Sequence, residues 1–139
     1  MKIIMNENYK EAFERTRIAG EIAAGALVEV AKIIKPGTKT DEIDNLCYEY
    51  INDHGAYSAP LFYRGFPKSC CTSTNHIVCH GIPSDKVLKD GDIVNVDVTA
   101  IKDGWHGDTS KTFKILSSEG IPWQTTWFVE VQHDLGNPL

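Results

Sequence analysis

The sequence predicts an α+β fold in which two N-terminal helices pack on one face of a mainly antiparallel sheet. Three observations support this prediction. Apolar residues recur at three- and four-residue intervals over the first quarter of the chain, and they do so again in a shorter second segment. Only strand-like segments follow. Helices that precede a group of strands are typical of an α+β layer, whereas a parallel α/β fold would alternate the two.

The first predicted helix runs from about Tyr9 to Ile34 and ends at Pro36-Gly37. The second predicted helix follows directly, with Thr38 or Thr40 as its N-cap and Gly55 as its left-handed stop. Its first turn is crowded with acids, a placement that the helix dipole explains without a functional role: Asp41, Glu42 and Asp44.

The segment from Ile93 to Phe113 predicts a β-hairpin. Alternating β-branched residues lead into Asp103-Gly104, and a second stretch rich in Thr and aromatic residues leads out. If Asp103 and Gly104 form a two-residue loop, Lys102 faces Trp105. Continuing that register along the hairpin pairs each of two acids with a hydroxyl residue: Thr99 with Asp108, and Asp97 with Ser110.

Asp97, Thr99, Asp108 and Ser110 are therefore expected on one face, because side chains alternate along a strand. The two carboxylates would lie about 7–8 Å apart at the backbone. Two ionised acids in a half-buried site need compensation, which a divalent cation would provide. The Thr99 hydroxyl would brace them. The simpler alternative is a pair of solvated acids on an open sheet face. A β-bulge near Gly107 would also shift the alternation of side chains, so that the two acids would no longer share a face.

Two further short strands are predicted, Ser69–Thr74 and His76–His80, with a break at Asn75. On a strand, His76 and His80 would share a face, which makes them a weak candidate for a metal-binding pair.

His80 is the better candidate of the remaining histidines, since Gly81 and Pro83 place it just before a sharp turn. Its ring could donate a hydrogen bond to a developing oxyanion near neutral pH. The other histidines lack such a context, and His106 is expected to project from the face opposite to Asp108.

Composition is that of a globular domain, with 42% apolar and 24% charged residues and a net charge of −5. The acidity argues against a nucleic-acid partner. The sequence shows neither a long apolar run nor a leader, so we expect neither a membrane partner nor secretion. A cytoplasmic protein is expected. The four cysteines lack the spacing of a zinc site, and we expect them to be reduced: Cys47, Cys70, Cys71 and Cys79.

The hairpin, together with the segments Val78-Cys79-His80-Gly81-Ile82-Pro83 and Leu88-Lys89-Asp90-Gly91-Asp92, resembles the first half of a type I methionine aminopeptidase. That family belongs to the pita-bread metallopeptidase superfamily. The resemblance implies an incomplete pita-bread fold. Residues 1–115 would be the N-terminal half of the catalytic domain, and residues 116–139 a divergent tail from a truncated or frame-shifted gene product.

The resemblance implies that Asp97 and Asp108 are ligands of two divalent metal ions of the Co, Mn, Fe or Zn class. His80 would contact the substrate and help to stabilise the transition state. A further set would line the pocket for the methionine side chain: Tyr63, Phe66 and Cys71. The family supplies one more histidine and two glutamates from a second half.

The implied activity is release of the initiator methionine from nascent peptides by a monomer, with the ribosome as a candidate partner. Two carboxylates offer at most four oxygens, so weak metal binding and poor turnover are expected. One alternative is a non-catalytic module that grips a peptide or partner with the aromatic loop Ser58–Pro67. Another is a proline- or arginine-directed peptidase of the same superfamily.

Overall fold

The computed structural model describes residues 7–117, with side chains from Tyr9 onward. The predicted order of two helices followed by antiparallel strands is confirmed, and none of the described helices is both long and apolar enough to cross a membrane. Residues 118–139 of the predicted tail lie outside the described residues. The elements are α1 (Glu7–Ile33), α2 (Thr40–Asp53), β1 (Tyr57–Ser58), β2 (Cys71–Thr74), β3 (Ile93–Lys102) and β4 (Trp105–Lys114), with a 3-10 turn at Tyr63–Gly65.

Strand β3 is the centre of the sheet. Strand β4 pairs with it along its whole length, from Ile93 opposite Lys114 to Lys102 opposite Trp105. Because β4 occupies one edge of β3 throughout, the two shorter strands must share the other edge. Strand β2 pairs with the first half of β3 and β1 with its end, and all pairings are antiparallel.

One face of the sheet is closed by the helices. Val94, Val96, Val98 and Ala100 of β3 are fully buried and belong to one apolar cluster with residues of α1 and α2. Burying each valine contributes about 1.5–3 kcal/mol relative to its exposure to water. Since alternate residues point to opposite faces, the polar residues of β3 between them point away from the helices, and this leaves the predicted site on the open face.

The predicted threonine cap of α2 is wrong. The N-cap residue is Lys39, whose backbone N–H donates to the Glu42 carboxylate at 3.1 Å. The Thr38 hydroxyl donates instead to the Ile33 carbonyl at the end of α1, at 3.0 Å. The Thr40 hydroxyl donates to the Ser84 carbonyl at 3.0 Å. Neither threonine caps α2, because each hydroxyl is engaged by another part of the chain.

The predicted strand over His76–His80 is also wrong, and β2 is shorter than expected. Asn75 and His80 both have positive φ angles, +55° and +53°, which are incompatible with an extended strand. Asn75 closes a turn, since its side-chain oxygen accepts the Ile93 N–H at 3.1 Å and its amide donates to Asp92 at 2.9 Å. His76 and His80 therefore do not form a strand-face pair.

Helix α1 packs against the backbone of β4 at Gly107. A Cβ at that position would lie 2.1 Å from the Gly20 nitrogen and 2.2 Å from the Ala19 carbonyl carbon, so the two backbones approach as closely as glycine allows. A Cβ on Gly20 would meet no atom within 4 Å. Gly107 thus contacts the α1 backbone at Gly20, whereas the Cβ position of Gly20 points to open space.

We predict that Gly107→Ala destabilises the chain by about 1–3 kcal/mol through overpacking against helix backbone. Gly20→Ala is the matched control, and it should stabilise the chain by about 0.5–1 kcal/mol through helix propensity. Urea unfolding with a common m-value measures both changes. Equal midpoints for the two variants would contradict the close approach of α1 and β4.

Candidate metal and substrate site

The hairpin turn has the geometry that its two residues predict. Asp103 and Gly104 have φ angles of +50° and +84°, as the left-handed positions of a type I′ turn require. Gly107 pairs in register with Ala100, so no bulge interrupts the ladder. The predicted register is confirmed, with Thr99 opposite Asp108 and Asp97 opposite Ser110.

Both acids lie on the open face of the hairpin, with Thr99 beside them. The Thr99 hydroxyl donates to the Asp108 carboxylate at 2.6 Å. Asp97 is half-buried, whereas Asp108 is exposed. A short bond to a neighbouring hydroxyl restricts the rotation of the Asp108 side chain. The predicted bracing contact is therefore present toward Asp108.

The electrostatics of the face are unfavourable for two free acids. Burial, reinforced by the charge of Asp108, raises the pKa of Asp97 to about 6, and the charge of His80 acts in the opposite direction. A raised carboxyl pKa means that the folded chain holds this proton more tightly than the unfolded chain does. The resulting stability is present below about pH 4 and is lost as the pH rises through about 6.

Cys71 borders the same site from strand β2. Its Cα is the register partner of Asp97, so the two side chains share the open face of adjacent strands. Burial, together with nearby negative charge, raises the pKa of Cys71 to about 11. The thiol is therefore neutral near pH 7 and forms a small apolar wall next to the acid. All four cysteines are free, as expected.

His80 reaches the site from a segment that packs on the backbone of β2. The Thr72 N–H donates to the Gly81 carbonyl at 2.7 Å, and the Gly81 N–H donates to the Ser73 hydroxyl at 3.1 Å. A Cβ at position 81 would lie 2.2 Å from the Thr72 carbonyl oxygen. His80 itself adopts the left-handed conformation, which costs a non-glycine residue about 1–2 kcal/mol. Its charge is felt by Asp97, so His80 lies near the acids.

The aromatic residues expected in the pocket are exposed or half-buried. Tyr63 is 63% exposed, and the Arg64 guanidinium lies 5.4 Å from its ring centre. Phe66 is half-buried, and the neighbouring Phe62 is 80% exposed. The pocket role of Tyr63 and Phe66 stays a prediction.

The predicted orientation of His106 is wrong. His106 lies in β4 two residues before Asp108 and pairs with Ile101 in an unbroken ladder. Residues two apart in a strand share a face. His106 therefore projects from the same face as Asp108, further along the hairpin toward the turn.

Asp44 is a structural anchor that the sequence interpretation missed. It is only 5% exposed, and one carboxylate oxygen accepts the Ser69 N–H at 2.7 Å and the Cys70 N–H at 3.0 Å. The sequence does contain a signal for it. Asp44 stands three residues before Cys47 and seven before Ile51, on the apolar stripe of α2, where an acid must find donors.

Comparison with known proteins agrees with this geometry. Residues 14–129 match the sequence profile of the metallopeptidase family M24. The chain belongs to metallopeptidase family M24. It is similar to methionine aminopeptidase 2 of Mycobacterium tuberculosis, at 58% identity over 103 residues, and to the methionine aminopeptidase of Escherichia coli K12, at 57% identity over 105 residues. Each alignment covers 74% of this chain and only 36% or 40% of the relative.

A solved M24 structure shows the same fold. The crystal structure of methionine aminopeptidase from Rickettsia prowazekii is similar with a TM-score of 0.77 at 49% identity. The similarity covers 84% of this chain and 46% of that chain. The predicted resemblance to methionine aminopeptidases, and an incomplete pita-bread fold, are thereby confirmed.

A metallopeptidase family implies a divalent metal, and the two acids fit one in part. Carboxylate oxygens suit hard divalent cations, and a bound cation would offset the burial and the like charge of Asp108 that together raise the pKa of Asp97. Among residues 7–117, however, no group of three or more His, Cys, Asp or Glu side chains is arranged to hold a metal ion. Asp97 and Asp108 would therefore supply only part of a ligand set, and their role as metal ligands stays a prediction.

We predict that Asp97→Asn raises the unfolding free energy of the metal-free chain at pH 7.5 by about 1–3 kcal/mol, because it removes one of two like charges. Mn²⁺ should then stabilise the original chain and leave the variant unchanged. Asp103→Asn, in the hairpin turn, changes the net charge equally. It should leave the stability of the metal-free chain unchanged and should keep the stabilisation by Mn²⁺. Destabilisation of the metal-free Asp97→Asn chain would contradict this account of the site.

Proposed function

We propose that residues 1–115 are the N-terminal half of a methionine aminopeptidase catalytic domain, with residues 116–139 as a separate tail. The observation that carries this proposal is the hairpin register, which sets Asp97 and Asp108 on one open face. Cys71 borders Asp97 on the adjacent strand, and the charge of His80 reaches the same carboxylate. An acid pair, a histidine and a neutral thiol at one place match the needs of a metal-dependent peptidase.

Asp97 and Asp108 would hold the metal, two ions of the Co, Mn, Fe or Zn class. When bound, such ions lower the pKa of water and polarise a carbonyl group. Thr99 holds the Asp108 carboxylate in one orientation through its 2.6 Å hydrogen bond. A ligand held in this way loses less side-chain entropy when a cation binds.

His80 would bind the peptide at its scissile bond. An imidazole N–H can donate to the carbonyl oxygen and, more strongly, to the oxyanion that develops from it. The tight packing of Gly81 on β2 holds the His80 backbone in its left-handed conformation. The backbone that carries the ring is thereby fixed before substrate arrives.

The methionine side chain would be bound by Cys71, Tyr63 and Phe66. A thioether makes favourable contacts with aromatic rings, and a buried neutral thiol adds apolar surface without charge. The substrate would be the N-terminal methionine of nascent peptides. Cytoplasmic location, action near the ribosome and a monomeric state belong to the same proposal. Its support is the methionine aminopeptidase relatives, of which the chain spans 36% to 40%.

Asp97 and Asp108 supply at most four carboxylate oxygens, whereas two divalent ions take about four to six ligands each. We therefore propose that this chain binds metal weakly and turns over slowly. Completion of the site would require the histidine and the two glutamates that the family supplies from a second half.

A second candidate function is a non-catalytic module that binds a peptide or partner. It is favoured by apolar side chains that are open to solvent in the loops that precede and follow β2. Phe62 is 80% exposed and Val78 is 94% exposed. Such surface is available to a peptide whether or not metal binds.

We predict that Co²⁺ is lost from the chain on dialysis and that methionine release from a Met-Ala-Ser peptide is slow. Asp97→Ala should abolish both Co²⁺ binding and methionine release, since it removes one of the two acidic ligands proposed among residues 7–117. Asp103→Asn is the control, because it removes an acid of the same hairpin and asparagine tolerates the left-handed turn position. Two tightly held ions with ordinary turnover would refute the proposal of an incomplete metal site. The non-catalytic module would be favoured if neither protein releases methionine and peptide binding survives Asp97→Ala.

We predict that His80→Ala lowers kcat/KM for methionine release by about 10²-fold, the usual cost of a lost oxyanion donor. Co²⁺ affinity should stay nearly unchanged, because the two acids remain. His76→Ala alters an exposed histidine four residues away and should keep the activity of the original chain. Equal losses in the two histidine variants would argue against a specific role for His80.

A further inference from the structure

We propose that Asp44 is a positioning residue for the methionine pocket, because it sets the register in which β2 presents Cys71 beside Asp97. The pocket role of Cys71 rests on the proposed function. The anchoring of β2 by Asp44 rests on contacts alone.

Asp44 bonds the two residues that precede β2. Its Oδ1 atom accepts the Ser69 N–H at 2.7 Å and the Cys70 N–H at 3.0 Å. Both residues are buried, at 2% and 0% exposure, and the β2 ladder begins only at Cys71. Buried backbone N–H groups outside a ladder need another acceptor. A carboxylate is the strongest acceptor for this purpose, because its hydrogen bonds are charge-assisted.

Strand β2 needs such an anchor because its own sequence specifies register weakly. It is four residues long, reads Cys71-Thr72-Ser73-Thr74, and is buried throughout. It therefore lacks the alternation of apolar and polar residues that usually fixes a strand against its neighbour. A slip by one residue would turn every side chain of β2 to the other face and move Cys71 away from Asp97.

The two ends of β2 are held by different side chains. At the far end, Asn75 is bonded to the Ile93 N–H and to Asp92. At the near end, Asp44 holds the residues just before Cys71. Cys71 is adjacent to the Asp44 anchor, so its placement beside Asp97 depends on this anchor more than on the distant one.

A nearby acid offers a matched control. Asp41, one turn earlier in α2, pairs with Lys68 at 2.8 Å, and both side chains are about one-third exposed. It touches the same segment as Asp44, but through a surface ion pair rather than through buried backbone amides. Surface pairs of this kind contribute little to local order.

The test is the rate at which iodoacetamide alkylates Cys71 in the full, metal-free chain, read by peptide mass spectrometry against the exposed Cys79. Asp44→Ala removes the acceptor and should speed Cys71 alkylation relative to Cys79 by about tenfold. Asp44→Asn keeps an oxygen at the same place and should stay within about threefold of the original chain. Asp41→Ala should leave the rate unchanged.

Unchanged Cys71 alkylation in folded Asp44→Ala would overturn the proposal, as would equal acceleration by Asp41→Ala. Asp44→Asn provides a second test that does not depend on the folding of the alanine variant. Its weaker acceptor should speed hydrogen exchange at the amides of residues 69–70 relative to 94–97, and equal protection would overturn the anchoring. Absence of Co²⁺ binding by the original chain would overturn the proposed function instead, and would leave the anchoring result intact.

Discussion

The register of the β3–β4 hairpin is the constraint on which the rest of the structure depends. Asp103 and Gly104 both take left-handed conformations, so the turn admits only one pairing of the strands that it joins. That pairing divides the sheet into two faces with different chemistry. The apolar face carries the valines of β3 and is closed by the helices. The opposite face carries Asp97 and Asp108, and a shift by one residue would bury the acids and expose the core.

The first turns of α2 bring the other segments to that face. Asp44 holds the residues before Cys71, and the Thr40 hydroxyl both donates to the Ser84 carbonyl and accepts the Ser84 N–H. Ser84 follows His80 by four residues. The two segments that carry Cys71 and His80 are thus tied to adjacent turns of one helix. Helix α2 is in turn packed into the core through Ile43 and Ile51, so the site inherits its rigidity from the hydrophobic interior.

The sequence predicts the hairpin and its acids because the information is local. A two-residue turn and a two-residue period decide which side chains share a face, without reference to the remainder of the chain. The same two-residue alternation, applied correctly along β4, also places His106 on the face of Asp108. The N-cap of α2 is different. The Thr40 hydroxyl bonds to Ser84, 44 residues away. Capping propensity describes only neighbouring residues, so it cannot predict this distant partner.

The segment before Gly81 was mispredicted for a related reason. His76–His80 has strand-like composition, yet Asn75 turns the chain and His80 leaves the extended region. Gly81 then packs so closely on Thr72 that no side chain fits there. Local preference would extend this strand, and tertiary packing overrides it. The role of Asp44 is likewise hard to predict from the sequence. The sequence shows only an acid on an apolar helix stripe, because its backbone donors lie 25 and 26 residues away.

The distribution of strained residues supports a functional reading of this face. Five non-glycine residues within 7–117 have positive φ: Phe62, Arg64, Asn75, His80 and Asp103. Asp103 forms the hairpin turn, and Asn75 belongs to a residue type that tolerates this conformation. Phe62 and Arg64 lie in the hydrogen-bonded turn around Tyr63–Gly65, and His80 directly precedes the close packing of Gly81 on β2. Each costs about 1–3 kcal/mol, and such costs persist where the surrounding structure enforces them, most often at binding sites. Near His80, Asp97 adds a second cost as a half-buried acid held against Asp108. The strained backbone of His80 and the half-buried acid thus belong to one face, and the proposed site for a cation and a peptide would account for both costs.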